Sequence, residues 1–547
     1  MKALPIGYDD FKKLRDNGLY YVDKSALIDQ ILSSRAEVLL FTRPRRFGKS
    51  LNLSMLDAYL NSRYADDPDR FSDLAVSALR PDDPEKNSNF IIKLNFKRLN
   101  TESFEVFLES YRKTMRSLFE MFSELHGSDR LTPSLREYYE AVSGGTSDYD
   151  LLANAIQYLC EMIVCHYGKR PIILIDEYDH PMNGTYGRDE IHERVKSFLR
   201  SVLGNALKSN EHLGFAVLTG VMRISKESIF SGLNNLKVND VFSTDYDEMY
   251  GFTPSEVAEM CADYGHPEKF EETKEWYDGY RFGNADVYNP WSIVNYIDQG
   301  FVPKPYWAGT SGNSIISDLA DRTDAETWRK LETLCSGGSI TARMTGSVVY
   351  SDLRSSGDAI YPVMVASGYL KAEKIDDEKS RYALSIPNRE MRQVFSDMIL
   401  DRFGSGTDET FEKFIDSAFS GNVEDMEKSL GILMEDLSIR ILKDEFPYEA
   451  FVTGLLASQG GRYEITADRE SGNGYHDIRM KRIRGSGPSL VIGIKRCRSG
   501  DPSVEALASA ALDQIDSKGY ARGLEGVVIL YGIAFDGKIP TIRMRRA

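Results

Sequence analysis

The apolar positions of this 547-residue chain form short aliphatic runs that alternate with longer stretches of helical periodicity. Four of these runs are predicted to be strands, and the one with four consecutive aliphatic residues, at 172–175, suits a strand buried on both faces of a parallel sheet. The four runs lie near residues 38–42, 90–95, 171–176 and 214–219. Residues 100–168 have a mostly helical pattern and are interpreted as an insertion. We therefore predict an α/β domain over residues 1–245.

The pattern changes after residue 245, and three further domains are predicted. They are a helical lid over residues 246–330, a winged-helix-like region over 331–403 and a second α/β domain over 404–547. In the lid, Thr253 or Ser255 is placed to cap a helix. In the winged-helix-like region, residues 369–373 and 382–384 have the pattern of hairpin strands.

The last domain has a strand and helix pattern of its own. A helix that includes Glu449 is followed by strand-like stretches at 475–484 and 489–495. Apolar residues then recur at helical spacing over 504–515, and another strand is predicted at 527–535. The predicted order is helix, strands, helix, strand.

A candidate phosphate-binding loop follows the first predicted strand. Residues 43–50 read Arg-Pro-Arg-Arg-Phe-Gly-Lys-Ser. A strand, a loop ending in Gly-Lys-Ser and a helix form the context of a P-loop, in which Lys49 reaches the β- and γ-phosphates and Ser50 binds Mg²⁺. The standard motif has a glycine where this chain has Arg43. The residues predicted to bind the nucleotide here are Arg45, Arg46, Phe47, Gly48, Lys49, Ser50 and Leu51. The alternative is a solvated basic turn.

A second motif places two acids at the carboxyl end of a buried strand, where α/β sheets bind ligands. Residues 171–177 read Pro-Ile-Ile-Leu-Ile-Asp-Glu. Asp176 is predicted to hold Mg²⁺ through water, and Glu177 to orient and deprotonate the attacking water. The next buried strand ends at Thr219, which is placed to sense the γ-phosphate. The alternative is an ordinary strand end.

Two arginines are candidates for a contact between subunits. ATP sites often form between the subunits of a homo-oligomer, where an arginine of the neighbour reaches the γ-phosphate. Arg223 is preferred because it follows the third of these strands, and Arg281 is the second candidate. The alternative for either arginine is a structural salt bridge.

These motifs resemble those of the predicted AAA-ATPase-like proteins that are fused to PD-(D/E)XK nuclease domains. The matching segments are residues 4–7, 20–25, 43–50, 219–236, 276–280, 288–292 and 386–390, and the P-loop match includes the missing first glycine. The resemblance implies an AAA/STAND-like P-loop NTPase core with ATP and Mg²⁺ as ligands. It also implies that the last domain is restriction-endonuclease-like.

The resemblance further implies a metal-dependent site in the last domain. In such nucleases one acid lies on the second strand and an acid-x-lysine on the third, and the acids bind a divalent ion that activates water. Glu470 and Asp477 are the expected acids for Mg²⁺ or Mn²⁺, and Lys495 is the expected lysine. Gly493 stands where the acid of acid-x-lysine is expected.

The glycine at position 493 leaves two outcomes open for this site. Either an acid is supplied from elsewhere, by Glu470, Glu449 or Glu505, or the domain is a nucleic-acid-binding remnant. A third interpretation is that Asp477 and Lys495 are merely polar residues of their strands.

The charge of the chain is unevenly distributed. The net charge is −16, but residues 477–547 contain 13 Lys and Arg against 7 Asp and Glu, which is +6 and leaves −22 elsewhere. This asymmetry is expected of a domain that meets phosphates, or it is a basic surface of no further meaning. No apolar run approaches the ~18 residues that span a bilayer, and the N-terminus lacks a signal-peptide core. The five cysteines contain no C-x-x-C pair, so a cytoplasmic protein is expected.

Together these features predict a P-loop ATPase coupled to a C-terminal nuclease-like domain that acts on DNA. One alternative is an ATP switch whose last domain only binds nucleic acid. Another is a signalling scaffold whose partner is a protein. Gly493 favours binding over cleavage.

Overall fold

The structure is a computed structural model, and the chain divides into two compact units. The structure describes residues 2–208, 210–223, 229–230, 233–307, 330, 333–334, 337–344, 360–376, 380–395, 408–435, 446–457, 459, 462–471, 474–498 and 500–547. The N-terminal unit consists of Met1–Ile316 with Met344–Lys371, and the C-terminal unit of Ser317–Arg343 with Ala372–Ala547. The division into four domains stays a prediction.

The N-terminal unit is built on a five-stranded parallel sheet. Its strands are β1 (Val38–Thr42), β2 (Ile91–Asn95), β3 (Ile172–Asp176), β4 (Ala216–Gly220) and β5 (Leu236–Asn239). The spatial order is β2-β3-β4-β1-β5, and every neighbouring pair is parallel. All residues of β1, β3 and β4 are buried. The four strands predicted from the aliphatic runs are confirmed, and β5, in which only Asn239 is buried, lacks such a run.

Helices pack against this sheet and form the insertion. Among the described residues, those of the N-terminal unit are α1 (Phe11–Asp16), α2 (Ala26–Ser33), α3 (Lys49–Leu60), α4 (Ala75–Leu79), α5 (Phe104–Glu120), α6 (Pro133–Ser143), α7 (Tyr149–Tyr167), α8 (His180–Gly184), α9 (Asp189–Leu207), α10 (Pro254–Asp263), α11 (Phe270–Tyr277), α12 (Pro290–Asp298) and α13 (Ile360–Ser367). The predicted helical insertion is α5 to α7. In α5, Phe107, Tyr111, Met115 and Leu118 are buried at helical spacing, which is the pattern of an amphipathic helix.

The region after β5 packs α10, α11 and α12 around a shared hydrophobic core and also contains a short hairpin. Thr253 caps α10, where its side chain and that of Glu256 form a capping box, so the predicted cap at Thr253 is confirmed. The hairpin consists of β6 (Tyr280–Phe282) and β7 (Ala285–Val287). The Asn289 side chain accepts hydrogen bonds from two backbone N–H groups at the start of α12.

The C-terminal unit contains two sheets. The smaller has the order β8-β10-β9, with β8 (Ile340–Arg343), β9 (Lys371–Asp376) and β10 (Arg381–Ser385). The larger has the order β11-β12-β13-β14-β15, with β11 (Tyr463–Ser471), β12 (Gly474–Arg482), β13 (Ser489–Arg496), β14 (Val528–Asp536) and β15 (Ile539–Arg546). The pair β13–β14 is parallel and the other pairs are antiparallel.

In the described part of the C-terminal unit, four helices accompany the larger sheet. They are α14 (Asp408–Ser420), α15 (Val423–Leu433), α16 (Phe446–Ala457) and α17 (Val504–Lys518). The predicted strands near 475–484, 489–495 and 527–535 and the predicted helix at 504–515 are confirmed. The pattern does not predict β11 and β15, which flank the sheet. Within the described residues of both units, no helix combines the length and the apolar character needed to cross a membrane.

Candidate nucleotide-binding and catalytic site

The loop between β1 and α3 has the backbone shape of an anion-binding turn. Gly48 precedes α3 with φ 84°, a conformation that favours glycine. Helix α3 begins at Lys49, so its unpaired N-terminal N–H groups face the loop and attract negative charge. The local sequence therefore places Lys49 and Ser50 in the first turn of a helix whose start is an anion site.

Lys49 is held inside the loop by main-chain carbonyls. Its Nζ donates to the carbonyl oxygens of Arg43, at 2.9 Å, and Pro44, at 2.8 Å. Burial lowers the pKa of the Lys49 ammonium, while the nearby carboxylates of Glu177 and Asp176 act in the opposite direction. The ammonium is thus desolvated and lies beside the candidate catalytic acids.

Asp176 is the centre of a hydrogen-bond network at the carboxyl ends of three strands. Its Oδ2 accepts from Ser50 Oγ at 2.7 Å and from Asn95 Nδ2 at 3.3 Å. Its Oδ1 accepts from Thr219 Oγ1 and from the Glu177 N–H. The structure therefore brings together Ser50, Asp176 and Thr219, which are far apart in the sequence.

The oxygens around Asp176 fit the requirements of a magnesium ion. Mg²⁺ in phosphate sites is held by one or two protein oxygens together with phosphates and water, and the Ser50 hydroxyl and the Asp176 carboxylate supply such oxygens. Within the described residues there is no group of three or more His, Cys, Asp or Glu side chains arranged around a metal position.

Glu177 has a strained backbone next to this network. Its φ is 53°, which is uncommon for a residue with a side chain and costs on the order of 1 kcal/mol or more. Glu177 lines the same cavity as Lys49 and His180. Its position at the end of β3 suits an acid that contacts a water beside a terminal phosphate.

A further carboxylate, Asp179, lies behind the site and has no signal in the sequence pattern. Its Oδ2 accepts from the N–H groups of Val221, at 3.1 Å, and Met222, at 2.9 Å. Burial, and next the neighbouring Glu177 carboxylate, raise the pKa of Asp179 to about 6. Asp179 thereby fixes the chain that leaves β4 toward Arg223.

The segment that follows β3 packs closely against the end of β4. A Cβ at Gly220 would lie 2.5 Å from the ring of Tyr178, and the Tyr178 hydroxyl donates to the Met222 carbonyl. Arg223 follows directly and is half buried. The other arginine candidate, Arg281, forms an ion pair with Asp286 at 3.4 Å. A role in trans for Arg223 stays a prediction.

A cavity of about 530 Å³ opens over the P-loop, a volume in the range of small-ligand pockets. Its wall contains charged and polar residues, among them Arg45, Lys49, Ser50, Glu177 and His180. It also contains apolar and aromatic residues, among them Tyr8, Tyr20, Tyr21, Met249, Phe252 and Trp291. A wall with both kinds of group suits a ligand that carries phosphates and a planar base.

The cavity wall includes N-terminal residues whose role the sequence pattern does not reveal. Lys24 lines the cavity and is buried, and its Nζ donates to both carboxylate oxygens of Glu256 at 2.7 Å. It also donates to the Glu248 carbonyl. Because Glu256 belongs to the capping box of α10, this ion pair joins the N-terminal segment to the start of α10.

The remaining P-loop positions have distinct surroundings. The Arg46 guanidinium lies 4.3 Å from the centroid of the Trp291 ring, a cation–π geometry, and its φ is 70°. The buried Phe47 ring packs against Tyr280 and Phe282 at 5.1 and 5.0 Å. Leu51 contributes to the wall of the cavity.

The candidate nuclease residues lie on three neighbouring strands of the C-terminal unit. Glu470 is in β11, Asp477 in β12, and Gly493 and Lys495 in β13. Glu470 pairs with Tyr475, which is two residues before Asp477. Ile478 pairs with Ile492, so the register continues to Asp477 opposite Gly493, and Lys495 follows two residues later. Because alternate residues of a strand share a face, the backbone register assigns all four positions to one face of the sheet. The side chains of Glu470 and Asp477 lie outside the described part of the structure.

Gly493 lies where α17 packs closely on the sheet. A Cβ at Gly493 would be 3.0 Å from the Ala511 carbonyl oxygen of α17. Gly532 is its partner in the parallel β13–β14 register, and a Cβ there would be 2.1 Å from the Ala508 carbonyl oxygen. The paired glycines therefore allow the helix to approach, which is a packing reason for glycine at position 493. Of the candidate replacement acids, Glu449 is buried in α16 and Glu505 lies in the exposed first turn of α17.

Comparison with known proteins supports an AAA-ATPase-like domain in the N-terminal unit. Residues 5–230 match the model of the AAA-ATPase-like family, which is described as "Predicted AAA-ATPase". This range contains the P-loop, Asp176 and Glu177, Thr219 and Arg223. The chain is also 27% identical over 405 residues to "Uncharacterized protein in vnfD 5'region" of Azotobacter chroococcum mcd 1, covering 74% of this chain and 70% of that protein. Neither similarity gives evidence for a fused nuclease domain.

Proposed function

We propose that the N-terminal unit binds ATP with Mg²⁺ and hydrolyses it. The observation that carries this proposal is the convergence of Ser50, Thr219 and Asp176 beside Lys49 and Glu177. The similarity of residues 5–230 to AAA-ATPase-like domains supports the same activity.

Each of these residues has a definite task in such a reaction. The N–H groups at the start of α3 and the Lys49 ammonium stabilise negative charge on the phosphates. Glu177 accepts the proton of the attacking water, and Thr219 contacts the γ-phosphate or holds Asp176 in place. Ser50 and Asp176 would hold Mg²⁺, which neutralises phosphate charge when bound. Catalysis then depends mainly on position and electrostatics.

The full-length protein with single substitutions tests this proposal. Lys49→Ala should abolish ATP binding, whereas Glu177→Gln should retain binding and lose turnover by roughly 10²- to 10⁴-fold. Lys113→Ala, at an exposed position on α5, is the matched control and should leave both quantities unchanged. Unchanged ATP affinity in Lys49→Ala would overturn the proposal.

We also propose that the C-terminal unit binds DNA, with cleavage as the stronger form of this function. Its support is the order α16, β11 to β13, α17, β14, which corresponds to the helix, strands, helix, strand order of restriction-endonuclease-like cores. The local charge of +6 over residues 477–547 favours the same partner. Glu470, Asp477 and Lys495 are the proposed catalytic residues of a cleaving form. The alternative of a signalling scaffold has no specific observation in its favour.

DNA binding and cleavage can be measured on the same preparations. We expect affinity for a short duplex to fall steeply as salt increases, because phosphate contacts release counterions. Lys481→Ala, at an exposed position of β12, should weaken binding, while Lys413→Ala, whose lysine pairs with Asp425, serves as the control. No salt-sensitive binding by the wild type would overturn the proposal.

Cleavage is compared in the wild type, Gly493→Glu and Lys495→Ala with Mn²⁺ or high Mg²⁺. Cleavage that disappears in Lys495→Ala supports the nuclease form, and binding without cleavage by any of the three supports the binding form. Since a side chain at position 493 meets α17, Gly493→Ala must accompany Gly493→Glu to separate the effect of bulk from that of charge.

A further inference from the structure

Arg43 occupies the position of the first glycine of the P-loop pattern, yet it does not belong to the residues that line the cavity over the loop. The residue is fully buried. Its Nη1 donates to the carbonyl oxygens of Thr42, at 2.9 Å, and Asn239, at 2.8 Å. These carbonyls end the neighbouring strands β1 and β5. The guanidinium therefore ties two strand ends together behind the loop.

Two aromatic rings enclose the same guanidinium. Its central carbon lies 5.2 Å from the centroid of the Tyr250 ring and 5.1 Å from that of Phe282. Tyr250 precedes α10 by a few residues, and Phe282 belongs to the β6–β7 hairpin. Arg43 thus contacts both segments that follow β5 and cover the P-loop.

A buried guanidinium at this position is energetically expensive. Nε and Nη2 have no acceptor among the described residues, and burial lowers the pKa of Arg43 to about 10. Buried donors without acceptors, and a buried charge that is surrounded mainly by carbonyls and aromatic rings, lower the folding stability. A glycine at this position would not have this cost. This cost indicates that Arg43 has a role of its own and does not merely replace the glycine of the motif.

The main chain of Arg43 completes the connection. Its N–H donates to the Gly220 carbonyl at 3.1 Å, and its carbonyl oxygen accepts from Lys49 Nζ at 2.9 Å. The Phe47 carbonyl accepts from the Gly251 N–H at 3.3 Å. One residue therefore contacts the lysine of the P-loop, the end of β4 and the aromatic residues of the following region.

We propose that Arg43 is a positioning residue that fastens the segment around Tyr250 and the β6–β7 hairpin to the P-loop and thereby fixes Lys49 for catalysis. The catalytic part of this inference rests on the proposed ATPase function, and the fastening part does not.

Arg43→Gly restores the standard P-loop glycine and removes the contacts of the arginine side chain. The variant therefore distinguishes the effect of the motif from that of these contacts. If the arginine were a neutral departure from the motif, this variant would hydrolyse ATP as well as the wild type or better. We expect instead that ATP still binds while kcat falls about 100-fold, since small displacements of catalytic groups have effects of that order. Arg43→Lys should recover only part of this loss, because an ammonium lacks the planar fork that bridges two carbonyls.

Hydrogen exchange in the absence of nucleotide measures the fastening directly. The amides to follow are Gly251, which donates to Phe47, Phe252, which donates to Tyr288, and Gly283, which donates to Val241. Arg43→Gly should accelerate exchange at these amides, whereas Arg35→Gly, at an exposed arginine before β1, should not. If the wild type lacks ATPase activity, the proposed function fails, and exchange still decides whether Arg43 fastens the region.

A second variant acts from the other side of the contact. Phe282→Leu removes one enclosing ring but keeps an apolar side chain, and we expect the same change in kcat, reduced to about 10-fold. Phe122→Leu disrupts a comparable pair, with Arg63 at 4.7 Å, in the helical insertion and is the matched control. Wild-type kcat together with wild-type exchange in Arg43→Gly would overturn the inference.

Discussion

Each unit has a glycine close to a lysine. Gly48 and Lys49 lie at the start of α3, and Gly493 and Lys495 lie in the strand β13. At Gly48 the backbone has φ 84°, and a Cβ would meet no atom within 4 Å. At Gly493 the backbone is an ordinary strand, and a Cβ would press on the Ala511 carbonyl. The first glycine is required by conformation and the second by space. A glycine in place of an expected acid is therefore not in itself evidence of a lost function.

The two aspartates that we propose as metal ligands, Asp176 and Asp477, lie in different units. We expect Asp176→Asn to lower ATP turnover about 100-fold, because the carboxylate that orients the Ser50 and Thr219 hydroxyls loses its charge. Asp477→Asn should leave ATP turnover unchanged. Steady-state hydrolysis by both variants checks this, and equal losses would show that the two sites do not act separately.

The packing role of the paired glycines predicts a graded loss of stability. Gly532→Ala should destabilise β13 and β14 by roughly 1–3 kcal/mol, because the new Cβ lies far inside contact distance of α17. Gly493→Ala should cost less, since its contact at 3.0 Å needs only a small shift. Hydrogen exchange of the β13 amides reports the local free energy of opening.

Gly431→Ala, in α15, is the control for this series. A Cβ there would meet Pro540 at an ordinary 3.6 Å, and alanine is the better helix former, so stability should rise slightly. If Gly493→Ala proved as harmless as Gly431→Ala, the packing explanation for Gly493 would be wrong, and the loss of an acid would again be the simplest account.

The smallest expected effect concerns the buried Asp179. Its folded pKa of about 6 exceeds the ordinary 3.8, so the folded state binds this proton more tightly than the unfolded state. The stabilisation from this proton is present below the ordinary pKa and is lost as pH rises through about 6. Asp179→Asn keeps an acceptor for the Val221 and Met222 amides and removes the ionisation.

The difference in unfolding temperature between Asp179→Asn and the wild type measures this contribution. It should shift in favour of the variant from about pH 5 to about pH 7.5. The comparison of the two proteins cancels the contributions of other carboxylates, such as Asp16 and Asp83, whose pKa values are lowered by arginine partners among other causes. A difference that does not change with pH would contradict the raised pKa.

The parts of the site that could be predicted depend on local signals. Lys49 and Ser50 follow from the Gly-Lys-Ser loop, and Asp176 and Thr219 follow from aliphatic runs that end in a polar residue. Their meeting could be anticipated because carboxyl ends of parallel strands lie at the same edge of a sheet. The order of helices and strands in the C-terminal unit could also be predicted, because it too follows from local patterns of apolar residues.

Other parts depend on contacts between residues that are distant in the sequence. Asp179 binds amides more than 40 residues away, and Lys24 pairs with Glu256 across 232 positions. Neither has a periodicity or motif of its own. The reason for glycine at position 493 likewise lies in α17, which no inspection of β13 alone reveals.

The Lys24–Glu256 pair has a practical consequence for anyone who prepares this protein. Lys24 and the tyrosines at positions 8, 20 and 21 form part of the cavity wall, and the Ala3 carbonyl accepts from the Tyr20 N–H at 2.9 Å. A shortened version that starts at the first β-strand would keep the whole Gly-Lys-Ser motif and still lack these residues of the cavity wall. If such a shortened protein were inactive, the missing N-terminal residues would explain the loss, and nothing would follow about the chemistry of the site.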